Sequence, residues 1–132
     1  MIISETDRVS IKQHAKFLEE KGYKIVWDDS HSIAFSNESV EFDVCYEPYG
    51  DTADVSVKFQ QPRTIYSLDW ITKERDSVRP LSSKSTPLER VLYFLKYIET
   101  HYDQISDFFF CSESMVIAYE QRAKSQDNSH KR

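Results

Sequence analysis

From Tyr23 to Phe59 the chain keeps changing face. Val40, Phe42, Val44 and Tyr46 alternate with Glu41, Asp43, Cys45 and Glu47, and Val55, Val57 and Phe59 alternate with polar residues. Tyr23, Ile25 and Trp27 alternate with Lys24, Val26 and Asp28, and Ser32 to Ser36 holds Ile33 and Phe35. A period of two is that of a strand with one face in a core. Asp28-Asp29-Ser30-His31, Asn37-Glu38 and Pro48-Tyr49-Gly50-Asp51 supply turns. The segment therefore reads as four short strands in a mainly antiparallel meander, an arrangement that can leave one face in water.

Helical spacing flanks the meander. Ile11, Ala15 and Leu18, with His14 and Phe17 beside them, predict a helix over about 7–21, stopped by Gly22. Thr86-Pro87-Leu88-Glu89 is a helix start, with Thr as cap, Pro in the first position and Glu reaching back from the third. Leu88, Val91, Leu95, Ile98, Tyr102, Ile105 and Phe109 follow at steps of three and four, as one long helix or two nearly collinear ones. Ser112 or Ser114 would cap a further helix to about Arg122, and AKSQDNSHKR should fray. Between Gln60 and Ser85 the signal is weak: Pro62 ends a strand, Ser67 to Ile71 suits a helical turn or two, and SVRPLSSKS is a polar connector. The expected architecture is one α+β domain over residues 1–122 with a flexible polar tail at 123–132. Its N- and C-terminal helices pack on one sheet face.

If helices cover the Val40, Phe42, Val44, Tyr46 side, the side carrying Glu41, Asp43 and Glu47 is the open one, because three like charges are not buried unpaired. The bias extends along the meander. Asp28, Asp29, Glu38, Glu41, Asp43, Glu47, Asp51 and Asp54 all fall between Lys24 and Lys58, with no Lys or Arg among them. The remaining residues hold 14 of the 22 acids and all 17 Lys and Arg. A segregated acidic face keeps a sheet soluble and discourages edge pairing. Edged by Trp27, Tyr49 and Tyr46, it also has the make-up of an interface that steers a basic partner, such as a nuclease whose cleft binds phosphate. The net charge of −5 disfavours direct nucleic-acid binding.

Catalytic signatures are absent. The sequence has no GxSxG, Walker, Rossmann, HExxH or EF-hand pattern, and Cys45 and Cys111 lie far apart without metal-ligand spacing. No cofactor or metal is expected. Glu41 and Asp43 imitate a hydrolase pair, as two acids at i and i+2 of any strand would. Of the four histidines only His31, in Asp28-Asp29-Ser30-His31, stands near candidate partners, and Asp, Ser and His are ordinary turn residues. The N-terminal MIISETDRVSIKQ carries acids where a signal peptide is basic, and no apolar run approaches membrane-span length. The expectation is a cytoplasmic protein with no membrane contact.

The order of FLEEKGYKI, an acidic strand meander and then TPLERVLYFLKYIETHYDQISDFF resembles small bacterial immunity proteins that neutralise polymorphic or contact-dependent toxins. The resemblance implies a noncatalytic protein that binds one cognate toxin domain. On that reading Glu41, Asp43, Glu47, Asp51 and Asp54 supply the electrostatics, and Trp27, Tyr46 and Tyr49 the buried contact area. Two alternatives stand beside it. One is a small ligand-binding domain or enzyme with a pocket between sheet and helices. The other is a structural subunit of a bacterial or phage assembly that uses the Phe-rich helix as its interface, with a homodimer contact at Phe108 or Phe110.

Overall fold

A computed structural model describes residues 1–72 and 85–130. Strands β1 (Lys24–Asp28), β2 (Ser32–Ser36), β3 (Val40–Tyr46), β4 (Ala53–Gln60) and β5 (Arg63–Ser67) form one antiparallel sheet in chain order. Helices α1 (Glu5–His14) and α2 (Lys16–Glu20) precede the sheet. Helices α3 (Leu68–Trp70), α4 (Pro87–Thr100), α5 (Tyr102–Ile105) and α6 (Phe108–His130) follow it. The fold is α+β, as the alternating and helical periods require.

The inward row of the meander is as the alternation predicts. Ile33, Phe35, Val40, Phe42, Val44, Tyr46, Val55, Val57 and Phe59 are all buried. They meet Ile11, Leu18, Val91, Phe94, Leu95, Ile98 and Ile105 from the helices. Helix α4 lies over β4 and packs against α1. Burial of each such side chain stabilises the fold by about 1.5–3 kcal/mol.

Local chemistry fixes the helix ends. Ser4 accepts the Asp7 amide at 3.1 Å, and Ala15 interrupts the first helix. Gly22, at φ +91°, follows α2; its amide donates to the Glu19 carbonyl and that of Tyr23 to the Leu18 carbonyl. This double closure needs the left-handed residue that glycine supplies without strain. At α4 the Thr86–Glu89 capping box forms in both directions, each bond 3.1 Å long.

Several expectations are corrected. The sheet has five strands, not four. In β5 the half-buried residues are Thr64, Tyr66 and Ser67 while Ile65 is 61% exposed, so the strand lacks the apolar-in alternation by which a period of two is recognised. In β1 only the preceding Tyr23 is buried. The strand is an edge, a bulge shifts its register between Ile25 and Trp27, and all five of its residues are exposed. The helical stripe holds through Ile105 and then turns. Phe109 is 77% exposed, while Cys111 and Ser114 are buried in its place. Ser114 lies inside α6 and donates to the Phe110 carbonyl instead of capping a helix. Helix α6 runs to His130, beyond the helix end expected near Arg122. The SVRPLSSKS connector, except Ser85, lies outside the described residues.

A candidate binding depression on the open sheet face

Strand register determines what stands on the uncovered side. One row runs Trp27, Ala34, Asp43, Ser56, Ser67 across β1 to β5; the next runs Lys24, Ser36, Glu41, Lys58, Ile65. In the first row the small side chains of Ala34 and Ser56 flank Asp43, while Trp27 rises at the edge. The result is a depression of about 510 Å³, lined by Val26, Trp27, Ser32, Ala34, Glu41, Asp43, Cys45 and Ser56. Every lining residue comes from a strand, so the depression lies on the open face rather than between sheet and helices.

Asp43 is the unusual group. It is half-buried, and its Oδ1 is enclosed without a hydrogen-bond partner. Burial, then a hydrogen bond with Glu41 and the charge of Glu41, push its carboxyl up to about 7, while Lys58 pulls in the other direction. Near neutrality the Asp43 carboxyl is therefore partly protonated. The Cys45 thiol beside them is pushed up by burial and by surrounding acids, Glu47 and Asp54 first, which keeps it protonated and a weak nucleophile.

Trp27 is 58% exposed, yet its ring is fixed at one end. Its Nε1 donates to Asp29 Oδ2 at 2.8 Å. Asp29 Oδ1 accepts the His31 and Ser32 amides, each at 2.9 Å, and the Ser32 hydroxyl at 3.0 Å. These bonds, led by that from His31, hold the Asp29 carboxyl down to about 2. The turn is itself tied to α1. Arg8 and Lys12 pair with Asp28, and Arg8 Nη2 donates to the Asp29 carbonyl at 2.8 Å.

The predicted site residues separate into four groups. Trp27, Glu41 and Asp43 line the depression together. Glu47, Tyr49 and Asp51 are exposed on the β3–β4 turn at the end of the sheet, Tyr49 fully so. Asp54 is on the open side but engaged, since Ser67 Oγ donates to both its oxygens at 3.1 and 2.9 Å and the Val55 amide at 2.9 Å. Burial raises its pKa. Tyr46 faces the other way. It is 1% exposed, with its hydroxyl donating to Asp7 Oδ2 at 3.0 Å, so it belongs to the core and offers no outward contact area. Strand parity alone places it there.

Other residues of the face escaped the sequence reading. Cys45 and Ser56 share parity with Asp43 and were legible by alternation; Ala34 opens the depression only because of the β1–β2 register. Lys58 bounds the acidic segment in sequence but stands directly opposite Glu41 in the sheet, which reduces the charge bias there. His31 is occupied locally, its Nδ1 2.9 Å from the Met1 carbonyl oxygen. Among the described residues no three His, Cys, Asp or Glu side chains converge as a metal site requires, and no helix is long and apolar enough to cross a membrane. No family model, curated protein or solved structure matches this chain.

Proposed function

We propose that the chain is an immunity-type protein that binds a basic toxin domain through its open sheet face and neutralises it by occupying its active site or substrate path. The observation that carries the reading is the depression itself. Two carboxyl groups, Glu41 and Asp43, lining a depression beside an exposed, fixed tryptophan suit a surface that is completed by another molecule. Glu47 and Asp51 on the adjoining turn extend the negative field beyond the contact and would speed encounter with a basic partner. Asp54 contributes charge from a fixed position, Tyr49 is free to order on contact, and Tyr46 supports β3 from the core side.

The reading predicts a toxin gene immediately upstream, and the test is association with the domain it encodes, followed by surface plasmon resonance at rising salt. Replacing Glu41, Glu47 and Asp51 together by Lys should lower the association rate by about tenfold or more at low salt and flatten its salt dependence. An unchanged rate would remove the acidic face from the mechanism.

A second reading has its own observation. Phe109, Val116 and Tyr119, 77%, 54% and 65% exposed, lie on one side of α6. Such an apolar helix face suits a subunit contact in a larger assembly.

A further inference from the structure

The depression narrows which basic group a partner would present. We propose that it seats one arginine side chain of the partner, with the guanidinium stacked on Trp27 and forked onto the carboxyl groups of Glu41 and Asp43; this rests on the partner-binding reading above. Trp27 and Asp43 occupy one row with only Ala34 between them. Two inter-strand steps span about 10 Å, enough for a flat group to lie against an indole and still reach a carboxylate. The indole is set before any ligand arrives, through Asp29 and the three donors that hold it.

The chemistry favours arginine over lysine. A guanidinium is planar, weakly hydrated and carries five donors in a fork; it stacks on aromatic rings and binds carboxylates two bonds at a time. An ammonium is a strongly hydrated point charge that uses neither the flat indole nor paired acceptors as fully. The fork would engage the Glu41 and Asp43 carboxyl groups, which line the depression, while Asp43 Oδ1 is itself enclosed and out of a partner's reach.

The ionisation of the site agrees with this. Glu41 and Cys45 face Asp43 from β3 and Lys58 from β4. Ser32, Ala34 and Ser36 on β2, Ser56 on β4 and Trp27 on β1 do not titrate. With Asp43 pushed up to about 7, its carboxyl is partly protonated near neutrality, and an incoming guanidinium would expel that proton. Arginine capture is thus linked to proton release near neutral pH.

The experiment titrates the purified chain with N-acetyl-arginine N-methylamide at pH 7.5, followed by NMR, with the neutral citrulline analogue as control. The proposal predicts saturable shifts at the Trp27 indole and the Glu41 and Asp43 carboxyl carbons, with a Kd on the order of millimolar, and none from citrulline. Asp43→Asn should weaken binding about tenfold, and Trp27→Ala about three- to fivefold. The titration midpoint of the Asp43 carboxyl should fall on saturation. Equal shifts from citrulline, no saturation, or binding indifferent to both substitutions would overturn the arginine seat. That failure would leave the partner-binding reading to stand or fall on its association rates, which the small probe does not touch.

Discussion

Asp43 is a carboxyl group that the fold keeps partly protonated, and replacing it by asparagine isolates the energetic consequence. Its pKa is raised from 3.8 to about 7, chiefly by burial. Below about 4 both the folded and unfolded chains hold the proton, and the contribution to stability is fully present. As pH rises the unfolded chain releases its proton first, so the folded state binds more protons and stability falls until the folded carboxyl has also ionised, somewhat above 7. At about 1.36 kcal/mol per pH unit, the full displacement would cost about 4 kcal/mol in an enclosed site. Asp43 is only half-buried, and solvent screening reduces this to about 1–2 kcal/mol. Asn has the shape of the protonated acid and cannot ionise. In urea unfolding at pH 4, 6 and 8, Asp43→Asn should match the parent within about 0.5 kcal/mol at pH 4 and exceed it by about 1–2 kcal/mol at pH 8, with an unchanged m-value. A variant less stable than the parent at pH 8, or a difference that does not vary with pH, would refute the reasoning.

Other expectations follow from the core and the caps. Phe42→Ala, at a fully buried position that packs on Tyr23, should lower unfolding free energy by about 3–5 kcal/mol in the same assay. Thr86→Ala removes one half of the capping box and should cost about 1 kcal/mol, read as a fall in thermal midpoint of a few degrees. Tyr46→Phe deletes the hydroxyl that donates to Asp7 and should cost about 0.5–1.5 kcal/mol. It should leave partner association unchanged, because the ring faces the core.

The parts of the fold legible in the sequence are those where one local rule acted alone. The parity of Val40 to Tyr46 and of Val55 to Phe59 gave both faces of the central strands, since each strand has neighbours on both sides and helices over one face. Thr86, Pro87 and Glu89 gave the start of α4 because a capping box is a short-range device. Edges were harder. Trp27 and Ile25 alternate as core residues would, but β1 has one neighbour and a bulge, and the helices leave it uncovered. Strand β5 is held by its ladder with β4 and carries its apolar Ile65 outward, so no local pattern announces it. At the candidate site the acidic residues were visible in sequence. The depression was not, because it depends on Ala34 and Ser56 standing beside Asp43 in separate strands. The placement of Lys58 opposite Glu41 is likewise a property of register.

The most direct test of the open face as the contact surface is site-specific photo-crosslinking to the toxin domain that the proposed function predicts. A benzophenone side chain would be placed at the exposed positions of Trp27, on the sheet, and Phe109, on α6. The proposed function predicts a covalent adduct from position 27 and none from position 109. An adduct from position 109 with none from position 27 would contradict it and move the interface to the helix.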